Sequence, residues 1–192
     1  ASKLAADKIF ISANKFARKE DTKFSIVRYG NVIASRGSVI PYFLDLNKNK
    51  TINVTDKNMT RFWISIKNAV LFVLSCCQDM VGGEIFVPKM PTIKTIDLAS
   101  ALAPKKNIKF VGKRPGEKLH EILVSDDHAE YTYQKKDRYI IFPDFISITN
   151  FKKVYKNLKK VPNEFNYSSL NNSNWITKNK IKEFINKNIK EN

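Results

Sequence analysis

The chain has 192 residues, 43% of them hydrophobic and 11% aromatic, which is enough to close a core in one domain, or one domain plus part of another, and excludes wholesale disorder. Its formal net charge of +16 invites a nucleic-acid reading, but the lysines run from Lys3 to Lys190 without concentrating on one element, so a compositional bias explains them better than a phosphate-tracking groove. Only the tail, Lys152 to Lys160 and Lys178 to Lys190, is dense enough for a basic face, and on a helix such a face is usually solvated.

In chain order, Leu4, Ala5, Ile9, Phe10, Ala13 and Phe16 recur at near-helical spacing and predict a helix over Ala1 to Lys19. It opens already in pattern, with only Ser2 available as a cap, and the chain begins at Ala1 rather than Met; further sequence upstream is expected. A buried strand follows over Phe24 to Tyr29 and a helix from about Val39 to Leu46. Between them runs RYGNVIASRGSVIP, Arg28 to Pro41, with the glycines and small polar residues of a loop that brings its backbone close to a ligand. Strands are predicted at Thr51 to Val54 and Arg61 to Ile66, then a helix over Ala69 to Met80 that stops at Gly82-Gly83. Glu84 to Val87 reads as a strand, Thr95 to Leu102 as a helix ended by Pro104, and Ile108 to Val111 and Arg138 to Phe142 as further strands. From Phe145 the pattern loosens; Asn163 to Asn174 is turn-rich, and Trp175 to Ile189 is a last helix with Ile176, Ile181, Phe184 and Ile185 on one side. This alternation predicts an α/β fold with a largely parallel sheet.

Cys76 and Cys77 are adjacent inside an apolar run, with no CxxC or Cys/His spacing, which points to a reduced, cytoplasmic protein without a metal site. That run is far shorter than the roughly 20 residues of a membrane span, and the start of the chain has no signal-peptide profile, so no membrane association is expected.

Several ordered blocks carry a resemblance. ASKLAADK (residues 1–8), RYGNVIASRGSVIP, MTRFWI (59–64), GGEIFVPKMP (82–91), RPGEKLHE (114–121) and FNYSSLNNSNWIT (165–177) together resemble the C-terminal part of the inverting UDP-N-acetylglucosamine 4,6-dehydratases, a family of extended short-chain dehydrogenases/reductases. The resemblance covers nearly the whole chain. It implies the C-terminal part of an extended Rossmann-type, doubly wound fold: residues 1–50 a remnant of the NADP-binding domain, 51–145 mainly a small substrate-binding α/β region, and 146–192 a C-terminal extension.

The resemblance makes Lys3 the lysine of a Tyr-x-x-x-Lys motif, binding the nicotinamide ribose of NADP and lowering the pKa of the tyrosine by its charge. It implies that Asn31 contacts the substrate and Val32 the cofactor, while Gly37, Ser38, Val39, Ile40 and Pro41 lay backbone along the UDP-sugar, with a helix N-terminus near Ser38 suited to its pyrophosphate. Arg61 and Arg114 are expected on the diphosphate or a ribose hydroxyl, and Glu117 as an acceptor for the ligand; without the resemblance, Arg114 and Glu117 read as a surface ion pair of little worth. His120 and His128 are given no role.

For a whole enzyme the implied reaction oxidises C4 of the sugar, eliminates water across C5 and C6, and returns the hydride to C6 with C5 inverted. The tyrosine, an Asp-Lys pair and a glycine-rich NADP loop all belong upstream of Ala1, so the chain is expected to be a fragment, inactive and poorly folded by itself, and a homo-oligomer when full length; by the resemblance the helix at residues 1–19 helps form the interface, its apolar residues fitting burial against a partner subunit or its own sheet equally. A nucleotide-sugar epimerase, a retaining dehydratase with Asp-Glu in place of Asp-Lys, a basic nucleic-acid-binding module, and a truncated product without activity are the competing readings. No aromatic stacking platform accompanies the charge, and no nucleic-acid partner is expected.

Overall fold

The computed structural model describes residues 2–14, 16, 17, 22–45, 51–143 and 154–190. In chain order it begins with helix α1 (Ser2–Ala13), strands β1 (Ile26–Val27) and β2 (Asn31–Val32), helix α2 (Val39–Asp45), and strands β3 (Thr51–Val54) and β4 (Thr60–Ile64). Helix α3 (Ile66–Asp79), β5 (Ile85–Pro88), β6 (Thr92–Lys94), α4 (Thr95–Leu102), β7 (Asn107–Phe110) and β8 (Ile122–Val124) follow. A 3-10 turn (Asp126–Tyr131), β9 (Thr132–Gln134), β10 (Arg138–Ile141), β11 (Lys159–Lys160), β12 (Tyr167–Ser168) and α5 (Lys178–Lys190) complete it. The chain alternates between two compact units: Ala1–Tyr29, Val70–Lys89 and Leu123–Asn166 form the first, and Gly30–Ala69, Met90–Ile122 and Tyr167–Asn192 the second.

The first unit holds a sheet in the order β1-β5-β10-β9-β11, parallel between β1 and β5 and antiparallel elsewhere. Every residue of β5 is buried, and Phe86 packs with Phe72 and Cys76 of α3 and with Ile140, Phe142 and Tyr155. Glu84, fully buried, would be costly as a bare carboxylate, but it accepts four hydrogen bonds: from the Val81 N–H (2.7 Å), the Gly82 N–H (2.8 Å), the Ser25 hydroxyl (2.6 Å) and the Tyr155 hydroxyl (2.7 Å). It thereby anchors the Gly82-Gly83 turn, whose φ angles of +120° and +92° only glycine adopts without strain. Burial and the Glu84 charge raise the Tyr155 pKa, so this hydroxyl remains a donor.

Helix α1 is shorter than predicted because Asn14 ends it: its side-chain oxygen accepts the Phe24 N–H at 2.9 Å and its amide donates to the Phe24 carbonyl at 2.8 Å. Ala1, Lys15 and residues 18 and 19 of the predicted helix lie outside the described residues, as do Leu46 and residues 144–153, which include Lys152. No residue of α1 is buried; Leu4, Ile9 and Phe10, expected to be covered, are more than half exposed.

The second unit contains a three-stranded sheet, β2-β4-β6, parallel at β2–β4 and antiparallel at β4–β6, and a parallel pair, β3–β7. Ile33, Ile40, Phe43, Ile52, Trp63, Ile93 and Leu98 form its core with Ile181 and Ile185, an i, i+4 pair of α5. The lysines at 178, 180, 182 and 187 of α5 lie exposed and solvated. Helix α3 starts three residues before its predicted first turn because the Ser65 hydroxyl accepts the Asn68 N–H at 3.2 Å and caps it.

The α/β class stands, but the sheets are mixed rather than largely parallel. A strand buried on both faces reads as a continuous apolar run whichever way its neighbour points, so direction is absent from local hydropathy. Among the described residues no helix is long and apolar enough to cross a membrane.

Candidate functional site

The opening loop is built on a close backbone approach. Gly30 sits so near β4 that a Cβ there would lie 2.4 Å from the Phe62 Cβ and 2.7 Å from its carbonyl oxygen, closer than real atoms come. That approach lets Asn31 pair opposite Trp63 and Val32 opposite Ile64. The chain then turns through Ala34 (φ +58°) and Gly37 (φ +71°), both in the left-handed region, and the Ser38 N–H donates to the Ser35 carbonyl at 3.0 Å. Ser38 precedes α2, and its carbonyl accepts the Tyr42 N–H.

The RPGE segment forms a second turn. The Glu117 N–H donates to the Arg114 carbonyl at 3.0 Å, with Pro115 second and Gly116 third at φ +78°, the residue order of a type II turn. The Glu117 carboxylate accepts the Arg114 backbone N–H at 3.0 Å, so the contact between these two residues runs through backbone rather than through the guanidinium.

Arg61 fastens that turn to β4. Its Nη1 donates to the Thr60 and Leu119 carbonyls (2.7 and 3.0 Å) and its Nη2 to the Lys118 carbonyl (2.9 Å), with the Glu117 and Glu121 carboxylates 3.9 and 3.8 Å away. Below it, His120 Nδ1 and the Ser169 hydroxyl each lie 2.7 Å from the Thr60 hydroxyl, and the Glu121 N–H donates to Ser169 Oγ. Burial chiefly, with the Arg61 charge, lowers the His120 pKa against a smaller opposing effect of Asp56.

These pieces enclose a cleft of about 500 Å³ within the second unit. Six of the sequence-predicted residues line it: Asn31, Val32, Ser38, Val39, Arg61 and Glu117. Gly37 and Pro41 are not among its lining residues, the Ile40 side chain is wholly in the core, and Arg114 is exposed on the turn outside the lining. Lys3 belongs to the first unit, exposed on the first turn of α1. Gly30 and Ser35, read from sequence as part of the ligand-approaching loop, also line the cleft, as do Thr55, Met59, Trp63 and Thr95, which were not singled out from sequence. Trp63 was within reach of such a reading, since it lies in the MTRFWI block, but a buried tryptophan in a strand has the signature of core.

The first unit has a smaller cavity, about 220 Å³, beside Asp7, Arg28, His128 and Tyr131. Its strongest cation is already committed: Arg28 donates to Asp7 through Nε (2.9 Å) and Nη2 (2.8 Å). The larger cleft is the better candidate, because two buried polar atoms on its lining residues, Ser38 Oγ and Trp63 Nε1, have no hydrogen-bond partner.

The model of the polysaccharide biosynthesis protein family matches residues 1–143. Two UDP-N-acetylglucosamine 4,6-dehydratases (inverting) of Campylobacter jejuni are 45% and 46% identical over 97% of this chain, and a UDP-glucose 4-epimerase of Rickettsia canadensis is 34% identical over 96%. The chain spans 58% of the length of the two dehydratases and 55% of the epimerase. Among solved structures, Pen from Bacillus thuringiensis superposes with a TM-score of 0.83 at 31% identity, over 96% of this chain and 56% of that one. The mixed α/β units are thus an extended Rossmann-type architecture, and the chain belongs to the polysaccharide biosynthesis protein family.

Proposed function

We propose that this chain supplies the nucleotide-sugar side of a UDP-N-acetylglucosamine 4,6-dehydratase that inverts C5. The observation that carries the reading is the convergence of the Asn31–Val39 segment with Arg61 and Glu117 on one polar cleft. Asn31 offers an amide to the sugar, Glu117 accepts from a hydroxyl of the ligand, and the segment through Ser38 and Val39 follows the UDP with backbone. Arg114, exposed on its fixed turn, presents a guanidinium fork suited to the diphosphate. Arg61 is spent mainly on carbonyls, so in this reading it holds the Glu117 turn and adds positive charge to the cleft wall.

The family relationship supports a nicotinamide cofactor, with NADP the form proposed. Lys3 and Val32 are its expected contacts; they belong to different units, and the sequence has no glycine-rich dinucleotide loop. In this reading Val32 supplies an apolar wall and Lys3 the cation that favours a phenolate base. The same reading keeps residues 1–50 on the cofactor side, 51–145 mainly on the substrate side and 146–192 as an extension, in a cytoplasmic homo-oligomer without nucleic acid as partner. The free cysteines Cys76 and Cys77 suit a reducing compartment; burial pushes the Cys76 thiol up to about 11, so it stays protonated and unreactive.

The test is to incubate the intact protein as its gene encodes it with UDP-N-acetylglucosamine and follow the sugar by NMR. A 4-keto-6-deoxy product with inverted C5 is expected. A 4-epimer with its 6-hydroxyl intact would transfer the protein to the epimerase reading, and no binding of UDP at millimolar concentration would overturn the assignment of the cleft.

A further inference from the structure

The block FNYSSLNNSNWIT (165–177) contributes no residue to the cleft lining, yet its stretch in the second unit, residues 167–174, is built in an unusual way. Tyr167, Ser168, Ser169 and Asn172 are buried, Ser169 completely, whereas Leu170 among them is 51% exposed. A stretch held by apolar burial would turn Leu170 inward and leave its serines to water. This one is held by hydrogen bonds instead, and each of them fixes a particular partner.

The first set of bonds reaches Met90. The Tyr167 hydroxyl accepts the Met90 N–H at 2.8 Å, and Asn172 Nδ2 donates to the Met90 carbonyl and to the Thr92 hydroxyl at 2.8 Å each. Met90 is 2% exposed, and its sulfur accepts the Gly30 N–H at 3.4 Å. The Tyr167 ring also packs on Phe62, with centroids 4.7 Å apart, and Phe62 is the residue against which Gly30 lies. Gly30 opens the segment that brings Asn31, Val32, Ser38 and Val39 to the cleft.

The second set reaches Thr60. Ser169 Oγ donates at 3.1 Å to the Thr60 carbonyl, which also accepts Arg61 Nη1, and it accepts the Glu121 N–H at 2.9 Å. The Ser169 N–H donates to the Glu121 carbonyl at 2.8 Å, and the Glu121 carboxylate accepts the Phe62 N–H at 3.1 Å. Thr60 and Glu121 thereby flank the Arg61 bonds to Lys118 and Leu119 that fasten the turn bearing Glu117.

We infer that residues 167–174 are a positioning strap for the nucleotide-sugar cleft, holding its two walls from behind. Tyr167 acts through Met90 and Phe62 on residues 30–39, and Ser169 acts through Thr60 and Glu121 on Arg61 and Glu117. Both are positioning residues outside the lining. A short, buried, hydrogen-bonded stretch that joins both walls has few other arrangements, so it sets their spacing before ligand arrives. The part in binding rests on the nucleotide-sugar reading of the cleft; the hold on the two walls does not.

Two single-group deletions in the intact protein test it: Tyr167→Phe, which keeps the ring on Phe62, and Ser169→Ala. The control is Ile185→Val, a core change in α5 that lines no part of the cleft. Melting temperature is read without ligand, and UDP affinity by calorimetry at a temperature where every variant is fully folded. Amide exchange is followed without ligand at Gly30 and Glu117, whose N–H groups bond Met90 Sδ and the Arg114 carbonyl and make no bond to the strap. Tyr167→Phe should quicken exchange at Gly30 and Ser169→Ala at Glu117, and each should bind UDP about 2- to 30-fold more weakly, the range for residues that act through a packed network. Ile185→Val should lower the melting temperature and leave affinity and both amides as they were.

A fall in melting temperature in both deletions with parent affinity would make the stretch structural only and overturn the inference, as would unchanged exchange at both amides. So would an equal loss of affinity in Ile185→Val, because general destabilisation would then explain the effect. Failure of the parent protein to bind UDP overturns the reading of the cleft, and the exchange measurements, which need no ligand, still decide whether the strap holds its walls.

Discussion

Gly30 has no side chain because Phe62 occupies its place. A methyl group there meets the Phe62 Cβ at 2.4 Å and the Phe62 carbonyl oxygen at 2.7 Å, so Gly30→Ala must part β2 from β4. We expect a loss of about 1–3 kcal/mol in chemical denaturation, the usual cost of overpacking, together with weakened UDP binding, because β2 carries Asn31 and Val32 to the cleft. Loss of stability with unaltered binding would detach the cleft from this strand pairing. Ala34 is the opposite case: with φ at +58°, Ala34→Gly relieves a left-handed alanine and should raise stability by about 0.5–1 kcal/mol in the same assay. In the sequence both positions read only as parts of a small-residue loop. The need for glycine at Gly30 arises from a residue 32 positions away, which no local pattern contains.

At the scale of elements, the type II turn at Arg114–Glu117 depends on a strand distant in sequence. Arg61 joins β4 to Leu119 and Lys118 through carbonyls, a use of the planar guanidinium fork that an ammonium cannot copy. Arg61→Lys is therefore expected to loosen residues 117–121. Amide hydrogen exchange should quicken at Glu117 and at Thr60, whose N–H groups bond the Arg114 and Leu119 carbonyls, and UDP affinity should fall. Unchanged exchange at both amides would show that the clamp is not what holds the turn. Elements with strong periodicity and explicit stops were legible: Thr95–Leu102 was read with its observed ends, and Gly82-Gly83 closed the helix before it. β9 and β11 were not, because two or three residues such as Thr132-Tyr133-Gln134 and Lys159-Lys160 become strands only through the neighbours they pair with.

For the whole molecule the histidines set a pH dependence. Burial is the largest cause lowering the His128 pKa below its ordinary 6.5; the Arg28 and Lys8 charges add to it, and Asp127 and Asp7 oppose it. His120 is lowered in the same direction. The folded protein thus binds fewer protons than the unfolded chain once the pH falls below about 6.5. The stability gained from neutral imidazoles is present above that value and is lost as the pH falls toward the depressed folded values. Urea denaturation between pH 8 and 5 should show this decline, and His128→Gln should flatten it; an identical slope in the variant would mean that His128 is not a source.

What the sequence determined alone was the α/β class, the small-residue loop after the first strand and the family, since each is written in short-range periodicity, loop composition or ordered motifs. The tertiary structure decided the direction of the strands, the employment of Arg61 on carbonyls, and the gathering of Ser38, Trp63, Thr55 and Glu117 around one cleft. The physical reason is that hydropathy along a chain reports whether a side chain is buried, whereas the partner it meets there, or the lack of one, depends on residues brought in from elsewhere in the chain.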